Sequence, residues 1–422
     1  MATAATKLLL IDRVPGINRV PNSYIRPQAD RPNLTEVEAS DASTIPLIDL
    51  QGLFGPNRDD IIRQIGKACQ RDGFFQIKNH GIPEEVVQAI MNIAGEFFRL
   101  PESERLKNYS DDPSKSTRLS TSFNIKTEKV SNWRDFLRLH CYPLEEYMHE
   151  WPTNPPSFRK EVGEYCTRVR ELALKLLEAI SESLGLEREY ISKNLGKHGQ
   201  HMAMNYYPPC PQPELTYGLP GHTDQNLITI LLQDEVPGLQ VLRDGKWIAV
   251  NPIPNTFIVN IGDQMQVISN DKYKSILHRA VVNCDRERIS IPTFYCPSPE
   301  ALIGPAQGLI DHEHPAVYRS FTYEEYYHKF WNRGLRTECC LTCSRYPRLR
   351  IYSKLRSCSF CVDVEKMRLF HINKLSCQLS LTCSPPHPPP PRRPSSSLSL
   401  SESFFIAFTS KRKDSTKISP FS

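Results

Sequence analysis

Three residues of this chain carry side chains that commonly bind metal ions. His222 and Asp224 lie two positions apart in Gly221-His222-Thr223-Asp224, and His278 follows much later. Residues i and i+2 of an extended strand point to the same face, so we expect the imidazole and the carboxylate to project together. Two histidines and one carboxylate on one side of a metal leave its other positions open, as in non-haem Fe(II) centres. The sequence therefore predicts a metal site formed by His222, Asp224 and His278.

Each part of this trio has a simpler interpretation when it is taken alone. A hydrogen-bonded histidine beside a turn-forming aspartate would explain His222 and Asp224 equally well, and an isolated His278 more often packs in a core. Their contexts favour the metal site. Segments 227–232 and 275–282 both have the composition of sheet strands, and a barrel built from them could bring the three side chains together.

A second group of residues suits a dicarboxylate ligand. Arg288 and Ser290 share a strand face ten residues after His278. A guanidinium binds a carboxylate through two parallel hydrogen bonds, and a hydroxyl adds a third donor. The alternative is a surface arginine in the charged run 285–288. Asn205 and Tyr207 also alternate on one strand, where they could bind a cosubstrate or simply satisfy the core.

The elements around these residues indicate an α+β protein with a mainly β core. A stripe of apolar residues predicts a long helix over 158–184, and shorter helices are predicted before it and over 323–331. After Gly196 short strands recur with turns, including 265–268 and a hairpin at Asp244-Gly245, which is typical of a jelly roll. The polar segment 104–130 is predicted to be a mobile surface stretch and is a candidate lid.

Charge and composition separate the C-terminal part from the rest. Residues 336–422 carry 15 Lys and Arg against 5 Asp and Glu, whereas residues 1–335 carry 37 against 42. The mildly acidic body argues against nucleic-acid binding. The apolar run 8–11 is too short for a signal peptide or a membrane span, and the scattered body cysteines suit reduced thiols. We therefore expect a cytoplasmic protein that does not enter a membrane.

The C-terminal part contains a possible zinc motif. Cys340, Cys343, Cys358 and Cys361 have a spacing that resembles a four-thiolate zinc site. The sequence between the two pairs lacks turn glycines, and a Pro-rich and then Ser-rich stretch follows. Because such a composition cannot bury a core, we predict that 336–422 is an atypical, disordered Cys/Pro/Ser-rich extension. A zinc-dependent interaction through this extension is the minor alternative.

The order of several motifs resembles that of plant 2-oxoglutarate/Fe(II)-dependent dioxygenases. The similarity covers most of residues 40–335. It is carried by Gly73-Phe74-Phe75-Gln76-Ile77-Lys78-Asn79-His80-Gly81, Asn205-Tyr206-Tyr207-Pro208-Pro209-Cys210, Gly221-His222-Thr223-Asp224, Val259-Asn260-Ile261-Gly262-Asp263, His278-Arg279 and Arg288-Ile289-Ser290. Segments 117–124 and 132–143 are most similar to the downy-mildew-resistance-type oxygenases, which act as salicylate hydroxylases.

The resemblance implies a double-stranded β-helix (jelly roll) flanked by helices. His222, Asp224 and His278 would hold Fe(II), while Arg288 and Ser290, with Tyr207 and Asn205, would bind the 2-oxoglutarate cosubstrate. The expected regions are an extended lead-in (1–43), an N-terminal dioxygenase region (44–150), a supporting helix (151–195), the jelly-roll domain (196–335) and the extension (336–422).

The resemblance also implies the reaction. A small phenolic substrate, salicylic acid, would be hydroxylated to a dihydroxybenzoate with O2, releasing succinate and CO2, and ascorbate would act as reductant. Phe123, Phe294 and Tyr295 are candidate walls for the aromatic substrate, although plain packing explains each of them equally well. The alternatives are a flavone synthase-like flavonoid oxidase and a catalytically silent binder of the same fold. We expect a monomer.

Overall fold

The computed structural model describes residues 9–34, 45–122, 127–333 and 340–346. All of these residues belong to one compact unit, 1–349. Its described helices are α1 Leu10–Arg13, α2 Arg58–Arg71, α3 Glu84–Arg99, α4 Glu102–Arg105, α5 Leu144–Tyr147, α6 Phe158–Ser183, α7 Tyr190–Asn194, α8 Asp263–Ile268 and α9 Tyr323–Arg333. In the described part of the chain, no helix is both long and apolar enough to span a bilayer.

Two sheets form the centre of the fold. The described strands are β1 Leu47–Asp49, β2 Phe74–Lys78, β3 Thr117–Ser120, β4 Asp135–Tyr142, β5 Gly199–Tyr207, β6 Leu219–His222, β7 Ile228–Gln233, β8 Leu239–Arg243, β9 Lys246–Ala249, β10 Phe257–Ile261, β11 His278–Ala280, β12 Arg288–Cys296, β13 Leu302–Ile303 and β14 Phe321–Thr322. The larger sheet has the order β1-β2-β10-β7-β12-β5-β4-β3, and the smaller has β6-β11-β8-β9. This is the predicted jelly roll.

An apolar layer joins the two sheets. Phe74 and Ile258 of the larger sheet belong to the same buried cluster as Val241 and Ile248 of the smaller one. Side chains from facing sheets interdigitate in this way in β-sandwiches. The layer fixes the distance between the sheets, and it therefore fixes the width of any cavity that they enclose.

The opposite face of the larger sheet is covered by helices. The predicted stripe of α6 is confirmed, since Val162, Val169 and Leu176 are buried in the main apolar cluster together with residues of β5, β7 and β12. Fully burying one such side chain contributes about 1.5–3 kcal/mol. This layer makes the larger sheet a rigid platform for the side chains on its other face.

The hairpin between β8 and β9 has the predicted turn. Asp244 and Gly245 have φ values of 51° and 80°. A type I′ turn requires positive φ at both central residues, and Asp-Gly meets that requirement. The turn sets the register of β8 with β9, in which Arg243 pairs with Lys246. The other edge of β8 pairs with β11, where Val241 lies opposite His278.

Three sequence-based expectations differ from the structure. Within 104–130, β3 pairs with β4 and Leu119 is fully buried, so this part of the predicted mobile segment is a sheet edge strand. Residues 265–268 lie in α8 and are not a strand, because short apolar runs do not distinguish a buried helix from a strand. The predicted strand 275–282 is regular only over β11.

The folded body extends further than residue 335. Leu341 is fully buried in the main apolar cluster, and Arg345 pairs with Asp271 at 2.8 Å. The backbone N–H of Arg319 donates to Ser344 O at 3.0 Å. Residues 340–346 therefore pack on the body, while the rest of the predicted extension, including Cys358 and Cys361, lies outside the described residues.

Two truncated chains test this boundary. A chain ending at residue 349 keeps Leu341, whereas one ending at 335 loses it. Burial of a leucine contributes about 2 kcal/mol. Because the unfolding entropy is about 2 cal/mol/K per residue, we expect the shorter chain to melt about 3 °C below the longer one. Thermal unfolding of both chains measures the difference. Equal melting temperatures would show that residues 340–346 do not stabilise the body.

Candidate active site

The two histidines of the predicted trio are direct cross-strand neighbours. His222 is the last residue of β6 and His278 is the first of β11, and they pair in antiparallel register. Their ring centroids are 4.3 Å apart. Asp224 lies beyond the end of β6, and not on the same strand face as His222, which corrects the expected i, i+2 placement. The structure nevertheless brings one ligand atom of each residue to within 4.8 Å of the other two.

Backbone carbonyls fix the orientation of both imidazoles. His222 Nδ1 lies 2.9 Å from Pro220 O, and His278 Nδ1 lies 3.1 Å from Ile276 O. A carbonyl only accepts hydrogen bonds, so each Nδ1 carries a proton, and in the neutral ring Nε2 then has the lone pair that can bind a metal. The two Nε2 atoms face Asp224 Oδ1 at 3.7 and 3.6 Å, which is longer than a hydrogen bond. Three lone pairs thus converge on one point.

Two neighbours fix the carboxylate of Asp224. Thr229 Oγ1 donates to Asp224 Oδ2 at 2.5 Å, and Asn260 Nδ2 donates to the same oxygen at 2.8 Å. These bonds leave Oδ1 directed towards the histidines. Sequence reasoning did not predict either donor. Asn260 lies in one of the motifs quoted above, but the sequence gives no sign of its contact with Asp224.

The protonation states of the trio suit a cation. Burial, followed by the proximity of His278, lowers the pKa of His222 to about 3. Burial by itself would raise the pKa of Asp224, but His278, His222 and the two hydrogen bonds outweigh it and hold that pKa below its usual value. At neutral pH the site therefore offers a neutral imidazole at His222 and an ionised carboxylate. Two imidazoles and a carboxylate with a free oxygen fit a non-haem Fe(II) ion.

The predicted carboxylate clamp faces the same cavity. In the antiparallel pair of β12 and β5, Arg288 lies opposite Tyr207 and Ser290 lies opposite Asn205. The guanidinium carbon of Arg288 is 5.2 Å from the Tyr207 ring centroid, and Asn205 Nδ2 donates to Ser290 Oγ at 3.3 Å. All four residues are buried. Neighbouring strands thus place the four side chains in one patch.

Two hydrogen bonds to β7 and the segment after it fix the orientation of the Arg288 guanidinium. Its Nε donates to Val236 O at 3.1 Å, and its Nη2 donates to Gln233 Oε1 at 2.8 Å. A preoriented guanidinium loses less conformational freedom when it binds an anion. Gln233 was not predicted, because its role depends on the pairing of β7 with β12.

One cavity of about 90 Å³ is lined by the trio and by the four clamp residues. Phe294 lines it as well, as expected for a substrate wall. Tyr295 does not, since it points to the opposite face of β12, is buried in the main apolar cluster and lies 2.8 Å from His198 Nδ1 through its hydroxyl. Consecutive strand residues face opposite sides, so Phe294 and Tyr295 could not both line this cavity. Phe123 lies outside the described residues.

A second cavity adjoins the trio and was not predicted. It also measures about 90 Å³ and shares His222, Asp224 and Phe294 with the first. Its other aromatic lining residues are Phe136 of β4 and Tyr327, Phe330 and Trp331 of α9. No sequence pattern separates these aromatic residues from ordinary packing residues. We refer to it as the aromatic cavity.

Replacing Asn260 tests how the trio is held. Asn260→Leu keeps the number and branching of the side-chain heavy atoms but removes the donor to Asp224 Oδ2. Loss of such an outer partner typically lowers metal affinity by about 10–100-fold, and we expect a decrease of that size in Fe(II) affinity. Anaerobic Fe(II) titration provides the measurement, and thermal unfolding controls for folding. Unchanged affinity would mean that the Asn260 bond does not orient the carboxylate.

Comparison with known protein families agrees with this geometry. Residues 198–297 match the 2OG-Fe(II) oxygenase superfamily, and residues 45–156 match the N-terminal region described as "non-haem dioxygenase in morphine synthesis". The chain is 66% identical over 340 residues to Protein DMR6-LIKE OXYGENASE 2 of Arabidopsis thaliana, covering 80% of this chain and 97% of the relative.

One further relative and one solved structure are also similar to this chain. Flavanone 3-dioxygenase 2 of Oryza sativa subsp. japonica is 57% identical over 323 residues, covering 76% of this chain and 93% of the relative. The crystal structure of JOX2 in complex with 2OG, Fe and JA has a TM-score of 0.74 at 34% identity and covers 81% of this chain and 98% of that chain. The chain is therefore a dioxygenase of the 2-oxoglutarate- and Fe(II)-dependent oxygenase superfamily, similar to the downy-mildew-resistance-type oxygenases.

Proposed function

We propose that this enzyme hydroxylates a small aromatic acid, salicylic acid, to a dihydroxybenzoate. The observation that carries the proposal is the aromatic cavity beside the trio, because it combines aromatic walls with two buried arginines, Arg134 and Arg138. Aromatic walls suit a phenolic ring, and cationic groups suit a carboxylate. The similarity to DMR6-LIKE OXYGENASE 2 supports an oxygenase reaction. The resemblance of segments 117–124 and 132–143 to the salicylate-hydroxylating oxygenases favours salicylic acid.

Each group of residues has a separate task in the proposed reaction. His222, Asp224 and His278 hold Fe(II), and Arg288 with Ser290 binds the distal carboxylate of 2-oxoglutarate, assisted by Tyr207 and Asn205. Fe(II) and 2-oxoglutarate together supply an oxidant from O2 while the oxo acid is converted to succinate and CO2. The buried walls keep water from the reacting atoms. Phe294, which lines both cavities, separates the cosubstrate from the substrate.

A flavonoid substrate is the second candidate. The relative named Flavanone 3-dioxygenase 2 has similar identity, and an outer cavity of about 550 Å³ shares Arg138, His201 and Trp331 with the aromatic cavity. A three-ring molecule would need the outer cavity as well as the aromatic cavity, whereas a single-ring acid would need less of the outer one. The complete trio and clamp argue against a catalytically silent binder.

We also propose a cytoplasmic monomer that uses ascorbate as reductant. Large exposed apolar side chains among the described residues are few and scattered, namely Leu34, Leu47, Leu302 and Tyr346. Scattered apolar residues do not form a contiguous association surface. Five of the six body cysteines are buried free thiols, as suits a reducing compartment. A reductant such as ascorbate would return oxidised iron to Fe(II).

A substrate panel tests the proposed reaction. Purified enzyme with Fe(II) and 2-oxoglutarate is given salicylate, other phenolic acids or flavanones, and succinate release and product structure are determined. We expect succinate release to match dihydroxybenzoate formation one to one with salicylate. Oxidation of a flavanone without turnover of salicylate would establish the second candidate, and no turnover of either class would favour the silent binder.

Replacing Arg288 tests the cosubstrate clamp. Arg288→Ala removes a charged donor pair, whose loss corresponds to about a 10–100-fold change in binding. We expect the KM for 2-oxoglutarate to rise by that factor while the KM for the aromatic substrate changes little. Arg286→Ala is the matched control, because Arg286 is exposed and pairs with Glu235 at the surface. An unchanged KM for 2-oxoglutarate would exclude the proposed role.

A further inference from the structure

One face of β4 places two buried cations in the aromatic cavity. Arg134, which directly precedes β4, and Phe136 and Arg138 within it alternate along the chain and all line this cavity. Arg134 is 5% exposed and Arg138 is 8% exposed. Asp224 is the one carboxylate among the residues lining the cavity, and it already belongs to the metal trio.

Among the described residues, no carboxylate forms an ion pair with Arg134 at contact distance. Burial lowers the pKa of Arg134, and its interactions with Tyr207, Glu128 and Asp135 offset that effect only in part. Its Nη1 donates to Asn205 Oδ1 at 2.7 Å, and its guanidinium carbon lies 4.7 Å from the Phe136 ring centroid. Its Nε is buried and has no hydrogen-bond partner. A buried guanidinium without an anion is costly, and a ligand carboxylate would remove that cost.

The position of Arg134 distinguishes the substrate from the cosubstrate as that ligand. Arg134 lines both the cavity of the trio and the aromatic cavity. In the proposed function the distal carboxylate of 2-oxoglutarate is bound by Arg288 and Ser290, on a different strand. Phe136, next to Arg134 in the cavity wall, and Phe294 offer apolar surfaces for a ring attached to the carboxylate.

Arg138 also has a buried Nε without a hydrogen-bond partner, but its terminal nitrogen is already occupied. Its Nη2 already donates to Pro113 O at 2.7 Å and to Lys115 O at 2.6 Å. It lines both the outer and the aromatic cavity, 5.6 Å from the Trp331 ring centroid. Its charge therefore favours the passage of anions from the outer cavity inwards.

We propose that Arg134 binds the carboxylate of the aromatic substrate and selects acids over neutral phenols. The inference rests on the proposed function and names Arg134 as the group that would give the enzyme its substrate specificity. A neutral analogue would leave the buried guanidinium unpaired, which is an effective basis for rejection. The bound carboxylate also sets the position of the ring relative to the trio.

Equilibrium binding tests this role without turnover. The enzyme loaded anaerobically with Fe(II) and 2-oxoglutarate is titrated with salicylate, benzoate and salicylamide, and the tryptophan fluorescence is followed. We expect the unmodified enzyme to bind salicylate at least about tenfold more tightly than salicylamide, as a charge-assisted hydrogen bond predicts. Arg134→Gln should bind both equally. Its amide can still donate to Asn205 Oδ1, and Arg288 and Ser290 are retained, so 2-oxoglutarate affinity should change less than salicylate affinity does.

Two further variants complete the design. Arg134→Lys keeps the charge but not the planar fork, so it should recover part of the preference for the acid. Arg134→Lys also replaces the glutamine variant as the test if the latter does not fold. In that case salicylate must bind more weakly to Arg134→Lys than to the unmodified enzyme, and the affinity for salicylamide must be unchanged. Arg63→Gln, at an exposed position of α2, is the matched control for charge removal.

The outcomes separate this inference from the proposed function. A preference for salicylate that survives in Arg134→Gln, or an effect confined to 2-oxoglutarate affinity, would overturn the inference. Equal affinities of the unmodified enzyme for salicylate and salicylamide would also overturn the inference. If the acid preference depends on Arg134 but bound salicylate is not hydroxylated, the inference stands and the proposed substrate is wrong.

Discussion

The cross-strand pairing of His222 with His278 is the constraint on which the site depends. It joins β6 to β11 and brings two imidazoles together whose Nδ1 atoms are held by backbone carbonyls. Asp224 completes the trio only because Thr229 and Asn260 hold one carboxylate oxygen and leave the other free. Buried groups with fixed orientations need little reorganisation to bind a metal, so the fold itself prepares the centre.

The larger sheet supplies the second part of the site, the clamp residues Arg288, Ser290, Tyr207 and Asn205. The helical layer behind it makes β5 and β12 rigid, and their register places the Arg288 guanidinium against Tyr207 and Ser290 beside Asn205. The trio and clamp lie on β5, β6, β11, β12 and the segment just after β6. The aromatic cavity shares His222 and Asp224 with the trio but is also lined by residues of β4 and α9.

Local patterns in the sequence were sufficient for the trio, the clamp, the long helix and the Asp-Gly hairpin. The helix, the hairpin and the alternation of Arg288 with Ser290 depend on spacing within one element. The assembly of the trio from separate segments was implied by the resemblance of ordered motifs to a family, and Asp224 lies beyond β6, not on its strand face. Contacts between distant segments could not be predicted in this way. The bond from Asn260 to Asp224, the support of Arg288 by Gln233 and the burial of Leu341 all arise from tertiary packing. Tyr295 was misplaced because strand alternation at positions 294–295 allows only one of the two side chains into the cavity.

The most direct test of this account is an anaerobic titration of the enzyme with Fe(II) and 2-oxoglutarate, monitored by visible absorption. A 2-oxo acid that chelates protein-bound Fe(II) gives a charge-transfer band. We predict that the band saturates at one Fe(II) and one 2-oxoglutarate per chain, and that Asp224→Ala abolishes it although that variant remains folded. A band of unchanged intensity and stoichiometry in Asp224→Ala would show that His222, Asp224 and His278 do not form the metal centre.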